Sequence, residues 1–178
     1  MNKFKFFLIT ALIVFASGTA MAQKAAYINV EQIVGMMPQL RSIDSLMQKY
    51  QIDSIASEYE ILVRDYKYRD SILSSKDTLT MPKSVKEQHQ IALQNVAYQL
   101  QNWQQISQNA YQSKQNELLE PVYRRVMTAI QAVAKEKGYA YVYDKSALIV
   151  APPGDDLLPF VAQKLNIKLP PNATTGIR

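Results

Sequence analysis

The chain has 178 residues, with 20 Lys and Arg against 15 Asp and Glu, one histidine and no cysteine. The absence of thiols excludes disulfides, thiolate metal sites, thiol nucleophiles and a cysteine-borne lipid anchor. A net charge of +5 is too small a basic bias to imply nucleic acid, and five glycines are too few for a phosphate-cradling loop.

The first element reads as a secretory leader. Lys3 and Lys5 form a positive n-region, residues 6–16 an apolar stretch broken only by Thr10, and Ala20-Met21-Ala22 a small-x-small cleavage site. Eleven residues are short of the roughly 20 that span a bilayer. Residues 1–22 are therefore expected to be a signal peptide, and 23–178 the mature, exported protein. Losing Lys3 and Lys5 lowers the net charge from +5 to +3.

Ala26-Tyr27-Ile28-Asn29-Val30 is β-branched and aromatic and predicts a strand. Residues 31–37 predict a short helical piece. Residues 38–75 and 83–120 are two segments of 38 residues each, separated by a tip at 76–82 that ends in Pro82. Equal lengths that fold back on each other predict a hairpin arm of roughly 55 Å at 1.5 Å per residue. In the outgoing segment Met36, Leu40, Ile43, Met47 and Tyr50 recur at steps of four and three. Ile55, Tyr59, Leu62, Tyr66 and Leu73 resume the stripe one residue out of step, which predicts a local disturbance of the coiled coil near Ser54.

The returning stripe, Val85, Ala92, Val96, Leu100, Trp103 and Ala110, is built of smaller members, and Ser107 and Lys114 interrupt it. Ten glutamines occupy the other faces between Gln88 and Gln115. Glutamine supports a helix but adds little apolar surface, so the arm is expected to be helical yet weakly joined to its partner. Pro121 is expected to stop or kink the helix, after which Val122, Val126, Ile130 and Val133 continue an apolar face to a C-cap at Gly138.

Tyr139, Tyr141, Val142 and Tyr143 predict a second strand and Leu148, Ile149 and Val150 a third. A short helix is expected over residues 159–165 and a loose tail over 170–178. The fold expected is α+β: a small body of three short strands and short helices (23–37 and 121–169) carrying a long antiparallel coiled-coil hairpin (38–120). Such a sheet leaves open edges, which proteins seldom tolerate, so the body is expected to be completed by oligomerisation. The residues expected to build that shared body are Tyr27, Ile28, Val30, Tyr139, Tyr141, Val142, Tyr143, Leu148, Ile149 and Val150.

No catalytic, metal or cofactor constellation stands out. His89 lies among Gln88 and Gln90 on a solvated helix without a ligand at metal spacing, and Asp155-Asp156 fits helix-entry electrostatics better than a cation site. The candidate client-binding residues are Tyr59, Tyr66, Tyr98, Trp103 and Tyr111, which pair apolar area with a polar handle. Tyr59, Tyr66 and Trp103 also have the spacing of the seam, whereas Tyr98 and Tyr111 lie off the Trp103 direction at 100° per residue.

The order of leader, Ala-Tyr-Ile-Asn-Val-Glu-Gln-Ile strand, long hairpin, Glu120-Pro121 junction, Gly138-Tyr139 strand, Leu148-Ile149-Val150 and Asp156-Leu157-Leu158-Pro159-Phe160-Val161 resembles the Skp (OmpH) family of periplasmic chaperones. The resemblance covers nearly all of the mature chain and is most specific over residues 27–33 and 138–161. It implies a homotrimer whose β-body holds three helical arms around a cavity, and ATP-independent binding of unfolded outer-membrane proteins in the periplasm. Two features depart from the family. Leu158 stands where a Thr N-cap is usual, a loss of about 1 kcal/mol. The tip region 64–87 carries six basic residues against four acids, so membrane contact is expected to be weak or transient. The competing reading is a structural or adaptor protein of the envelope whose arm docks a folded helix by its seam.

Overall fold

The computed structural model describes residues 24–170; the expected signal peptide and residues 171–178 of the expected tail lie outside them. The chain divides into two compact units, one built from residues up to Val30 and from Thr128 onward, the other from Glu31–Met127.

In the first unit, β1 (Ala25–Ile28) pairs in parallel with β2 (Tyr141–Asp144), with Ala25 opposite Tyr141 and Ile28 opposite Asp144. Parallel neighbours require a crossover, and here everything between the two strands in sequence serves as one. On its other edge β1 meets a single bridge from Tyr27 to Asp156. The strand is shorter than the sequence predicts, because Val30 already opens the helix α1 (Val30–Gly35). The expected third strand is not formed: Leu148 is extended, yet residues 148–150 pair with no described strand. A strand needs a neighbouring strand for its N–H and C=O groups; the Leu148 N–H instead turns back to the Lys145 carbonyl at 3.1 Å, and no described strand lies beside residues 148–150. Ile28, Leu157 and Val161, each no more than 1 % exposed, are central to this unit's core.

The second unit is a helical hairpin. The outgoing limb runs α2 (Leu40–Tyr50), a π-helical stretch (Gln51–Ala56) and α3 (Ser57–Ser74). The π-helix falls where the apolar stripe slips by one residue. A π-turn absorbs one extra residue, so the wider turn brings Ile55, Tyr59 and Leu62 back in phase with Ile43 and Met47. At the tip a 3₁₀ turn (Lys76–Leu79) is closed by the Thr78 hydroxyl, which donates to the Ile72 carbonyl at 2.7 Å and lies 3.1 Å from that of Leu73.

The returning limb is α4 (Lys83–Gln101), packed on α3, followed by α5 (Trp103–Lys137). Two differences from the sequence reading stand out. Pro121 does not stop the helix but lies inside α5, and the interruption comes at Asn102 instead, with φ −98° and ψ 9°. There the Asn102 side-chain amide donates to the Tyr98 carbonyl at 2.8 Å, a side-chain bond that competes with the helical ladder. Gly138, at φ +71°, ends α5 as expected: Tyr139 N–H reaches the Ala134 carbonyl at 2.9 Å and Gly138 N–H that of Lys135, a Schellman closure.

The helix α6 (Leu158–Lys164) lacks the family's Thr cap, but the Asp156 carboxylate accepts from the Leu158 N–H at 2.9 Å. The N-cap is Leu157 rather than Leu158, and of the acidic pair Asp156 serves the helix entry while Asp155 accepts from the Tyr139 hydroxyl. Deleting Ser54 should restore the four-and-three spacing with an ordinary α-helix. Helical ellipticity should then be kept and the melting midpoint should fall by no more than roughly 3 °C, within the shift of 1 kcal/mol; thermal unfolding followed by circular dichroism checks this.

Candidate binding site

In the distal arm the seam is thin. Among the described residues between Ser57 and Gln101, only Thr78 and Val96 are fully buried. Leu62, Tyr66, Ala92 and Leu100 are half-buried. On α5, closer in sequence to the body, Gln105 bonds to Asn109 at 2.8 Å and Gln112 to Gln115 and Asn116 at 3.1 Å, all within the helix rather than across the seam. Apolar side chains remain outside the seam at heptad spacing, Ile61 and Tyr68 on α3 (54 % and 60 % exposed) and Ile91 and Tyr98 on α4 (59 % and 66 %). Seven residues return a helix to nearly the same face, so each pair is a short stripe. Of these four only Tyr98 was read from the sequence. The other three lie off the four-three seam, and their seven-residue spacing is the signal in the sequence that marks them.

The structure brings Tyr59 and Trp103 together, with ring centroids 5.7 Å apart and planes tilted by 42°. The contact bridges the two limbs, while the Tyr59 ring remains 44 % exposed. Tyr66 is half-buried along the seam. Tyr111 is half-buried too, in a different environment from Tyr98. It lines a cleft of about 840 Å³ between α1, the limb α2 with the first turn of the π-helix, and α5.

That cleft follows from what faces what. Ile43 and Met47, four residues apart, present the apolar face of α2, and Tyr111, Gln115, Leu119 and Tyr123 repeat every fourth residue on α5. Ile43 and Met47 are themselves buried, while Ile52 is exposed and Tyr111 and Leu119 are half-buried, so the limbs leave an open groove beside that face. Glu31 and Asp44 stand among the lining residues and no lysine or arginine does. The Tyr123 hydroxyl donates to Glu31 Oε1 at 3.1 Å. Burial, and then this bond to a carboxylate, raise the Tyr123 hydroxyl's pKa above its usual value. Glu31, Asp44 and Tyr123 were missed as candidates because nothing in the sequence links α1 to α5.

The body residues divide into spent and free. Tyr27 and Ile28 are buried, and the Tyr27 hydroxyl donates to the Pro152 carbonyl at 2.9 Å. The Tyr139 hydroxyl donates to Asp155 at 3.2 Å, while Val30, Val142 and Leu148 are half-buried. Tyr141 and Tyr143 stack at 6.4 Å on one face of β2, each half exposed. Ile149 is fully exposed and Val150 is 79 % exposed. The turn before them is set by Asp144, whose carboxylate accepts from the Ser146 hydroxyl at 2.6 Å and its N–H at 2.8 Å.

His89 is only half exposed rather than solvated, and its Nδ1 is buried without a hydrogen-bond partner. Among the described residues no cluster of three or more His, Asp or Glu could hold a metal ion, and no helix is long and apolar enough to cross a membrane.

A family model for outer membrane proteins of the OmpH-like type matches residues 24–165. The chain belongs to the OmpH-like family. A solved structure of a proposed OmpH-like outer membrane chaperone from Caulobacter crescentus is 22 % identical, with 84 % of this chain and 86 % of that one covered and a TM-score of 0.48. No curated protein matches the chain.

The Asp144 turn gives a pH prediction. The Ser146 hydroxyl, and then its N–H, hold the Asp144 carboxyl below the usual carboxylate range. A carboxylate lowered on folding contributes stability above its unfolded pKa of about 3.9, and that contribution is lost as pH falls through the lowered folded value. Ser146→Ala should therefore move the acid unfolding midpoint to higher pH, read by tyrosine fluorescence during acid titration.

Proposed function

We propose that this OmpH-like protein is an exported, ATP-independent holdase that retains unfolded outer-membrane proteins in the periplasm. The observation that carries the reading is the exposed apolar stripe outside a thin seam, Ile61 and Tyr68 with Ile91 and Tyr98. Such side chains offer many weak apolar contacts without a single tight pocket. A non-native chain held among several arms is retained by effective concentration. Neither catalysis nor a cofactor is part of this mechanism.

Holding a chain among arms requires more than one copy. Tyr141, Tyr143, Ile149 and Val150 are apolar and exposed beside the open edge of β2, and burial against further copies would cover them. We take the assembly to be a homotrimer, as in the resemblance to Skp. Membrane contact through the modestly basic tip is weak or transient in this account.

The test is dilution of a urea-unfolded outer-membrane barrel into the mature protein, with light scattering as the readout and the mass of free and loaded protein measured alongside. Near-stoichiometric protein should suppress scattering, and the free mass should be that of three copies. Tyr98→Ser with Tyr111→Ser should weaken suppression several-fold while leaving the mass unchanged. Undiminished suppression by that variant would remove those tyrosines from the client contact.

A further inference from the structure

The cleft between the limbs of the hairpin differs in character from the distal stripes. Its walls are apolar at Ile43, Met47 and Leu119, and its volume of about 840 Å³ lies within the roughly 300–1,000 Å³ of ligand-binding clefts. Its charge runs against the rest of the molecule. In a chain of net charge +5, the cleft holds two carboxylates, Glu31 and Asp44, and no cationic side chain. Glu31 is oriented by the Tyr123 hydroxyl at 3.1 Å. Asp44 is exposed, and none of the side-chain hydrogen bonds or ion pairs among the described residues uses its carboxylate.

We propose that this cleft docks an extended segment of non-native polypeptide in which apolar side chains stand beside a lysine or arginine. The apolar side chains enter between α2 and α5, where they replace solvent against Leu40, Ile52 and Leu119, with the buried Ile43 and Met47 as the floor. The cation of the segment meets Asp44 and Glu31 at the wall. The glutamine amides that share the lining can serve both the N–H and the C=O groups of an extended backbone, since each amide donates and accepts. A segment bearing glutamate would place like charges together and be disfavoured. The assignment rests on the chaperone reading, and adds to it a preference for the sign of the charge that flanks the bound residues.

The probes are three fluorescein-labelled peptides of equal length: a leucine core flanked by lysines, the same core flanked by glutamates, and a serine core flanked by lysines. Anisotropy is measured with the full mature protein, its Asp44→Asn and Asp44→Lys variants, and at low and high salt. The leucine–lysine peptide should bind about three- to fivefold tighter than the leucine–glutamate peptide, the size of one partly exposed ion pair. Asp44→Asn should narrow that gap and Asp44→Lys should abolish or invert it, with helicity unchanged because Asp44 is exposed. High salt should narrow it as well, and the serine core should bind weakly. Equal binding of the two leucine peptides, a preference that survives Asp44→Lys, or tight binding of the serine core would each overturn the proposal. Barrel aggregation is followed on the same samples. Suppression by a protein without charge preference for the peptides overturns the cleft assignment and leaves the chaperone reading intact. Charge-selective peptide binding without suppression does the reverse.

Discussion

The arm depends on one shortage: its returning helix does not carry enough apolar surface to seal against the outgoing one. Alanines at positions 92 and 110, a serine at 107 and a lysine at 114 occupy places where a stable coiled coil would carry leucine or isoleucine. In the distal half only Val96 and Thr78 are fully withdrawn from water. Helical propensity, supplied by the glutamines, keeps the rods formed where packing does little. Lengthwise order is thus separated from lateral cohesion, and the apolar side chains left outside the seam stay available.

The body works under the opposite constraint. Its two strands are parallel neighbours although the whole hairpin lies between them in sequence. Contacts so remote in sequence make assembly slow, because loop closure must precede the pairing. Caps compensate locally. Gly138 closes α5, Asp156 opens α6, and Lys137 lies 3.5 Å over the Phe160 ring while Lys164 pairs with Glu136. Among the described residues, what the body does not satisfy alone is the outer edge of β2 and the exposed Ile149 and Val150.

Much of this was legible in the residues. The hairpin and its tip follow from two segments of equal length, and the slip between Tyr50 and Ile55 marks the place of the π-helix. Gly138 was readable as a cap because a helix that ends on glycine can take a left-handed residue. Pro121 misled, since a proline in sequence signals a break while the surrounding helix, packed by Val122 and Val126, carries through it. Asn102 left no warning, because its effect is a side-chain bond to a backbone carbonyl that no periodicity encodes. The cleft was invisible for a related reason. It joins α1, α2 and α5, and the register that brings Glu31 to Tyr123 is set by the hairpin as a whole.

Hydrogen exchange of the mature protein, alone and with an unfolded barrel, tests the central claim most directly. The account predicts that amides of residues 84–100 exchange much faster than those of 157–162, and that the barrel slows the former. Arm amides as protected as those of the body, and unchanged when the barrel is added, would contradict it.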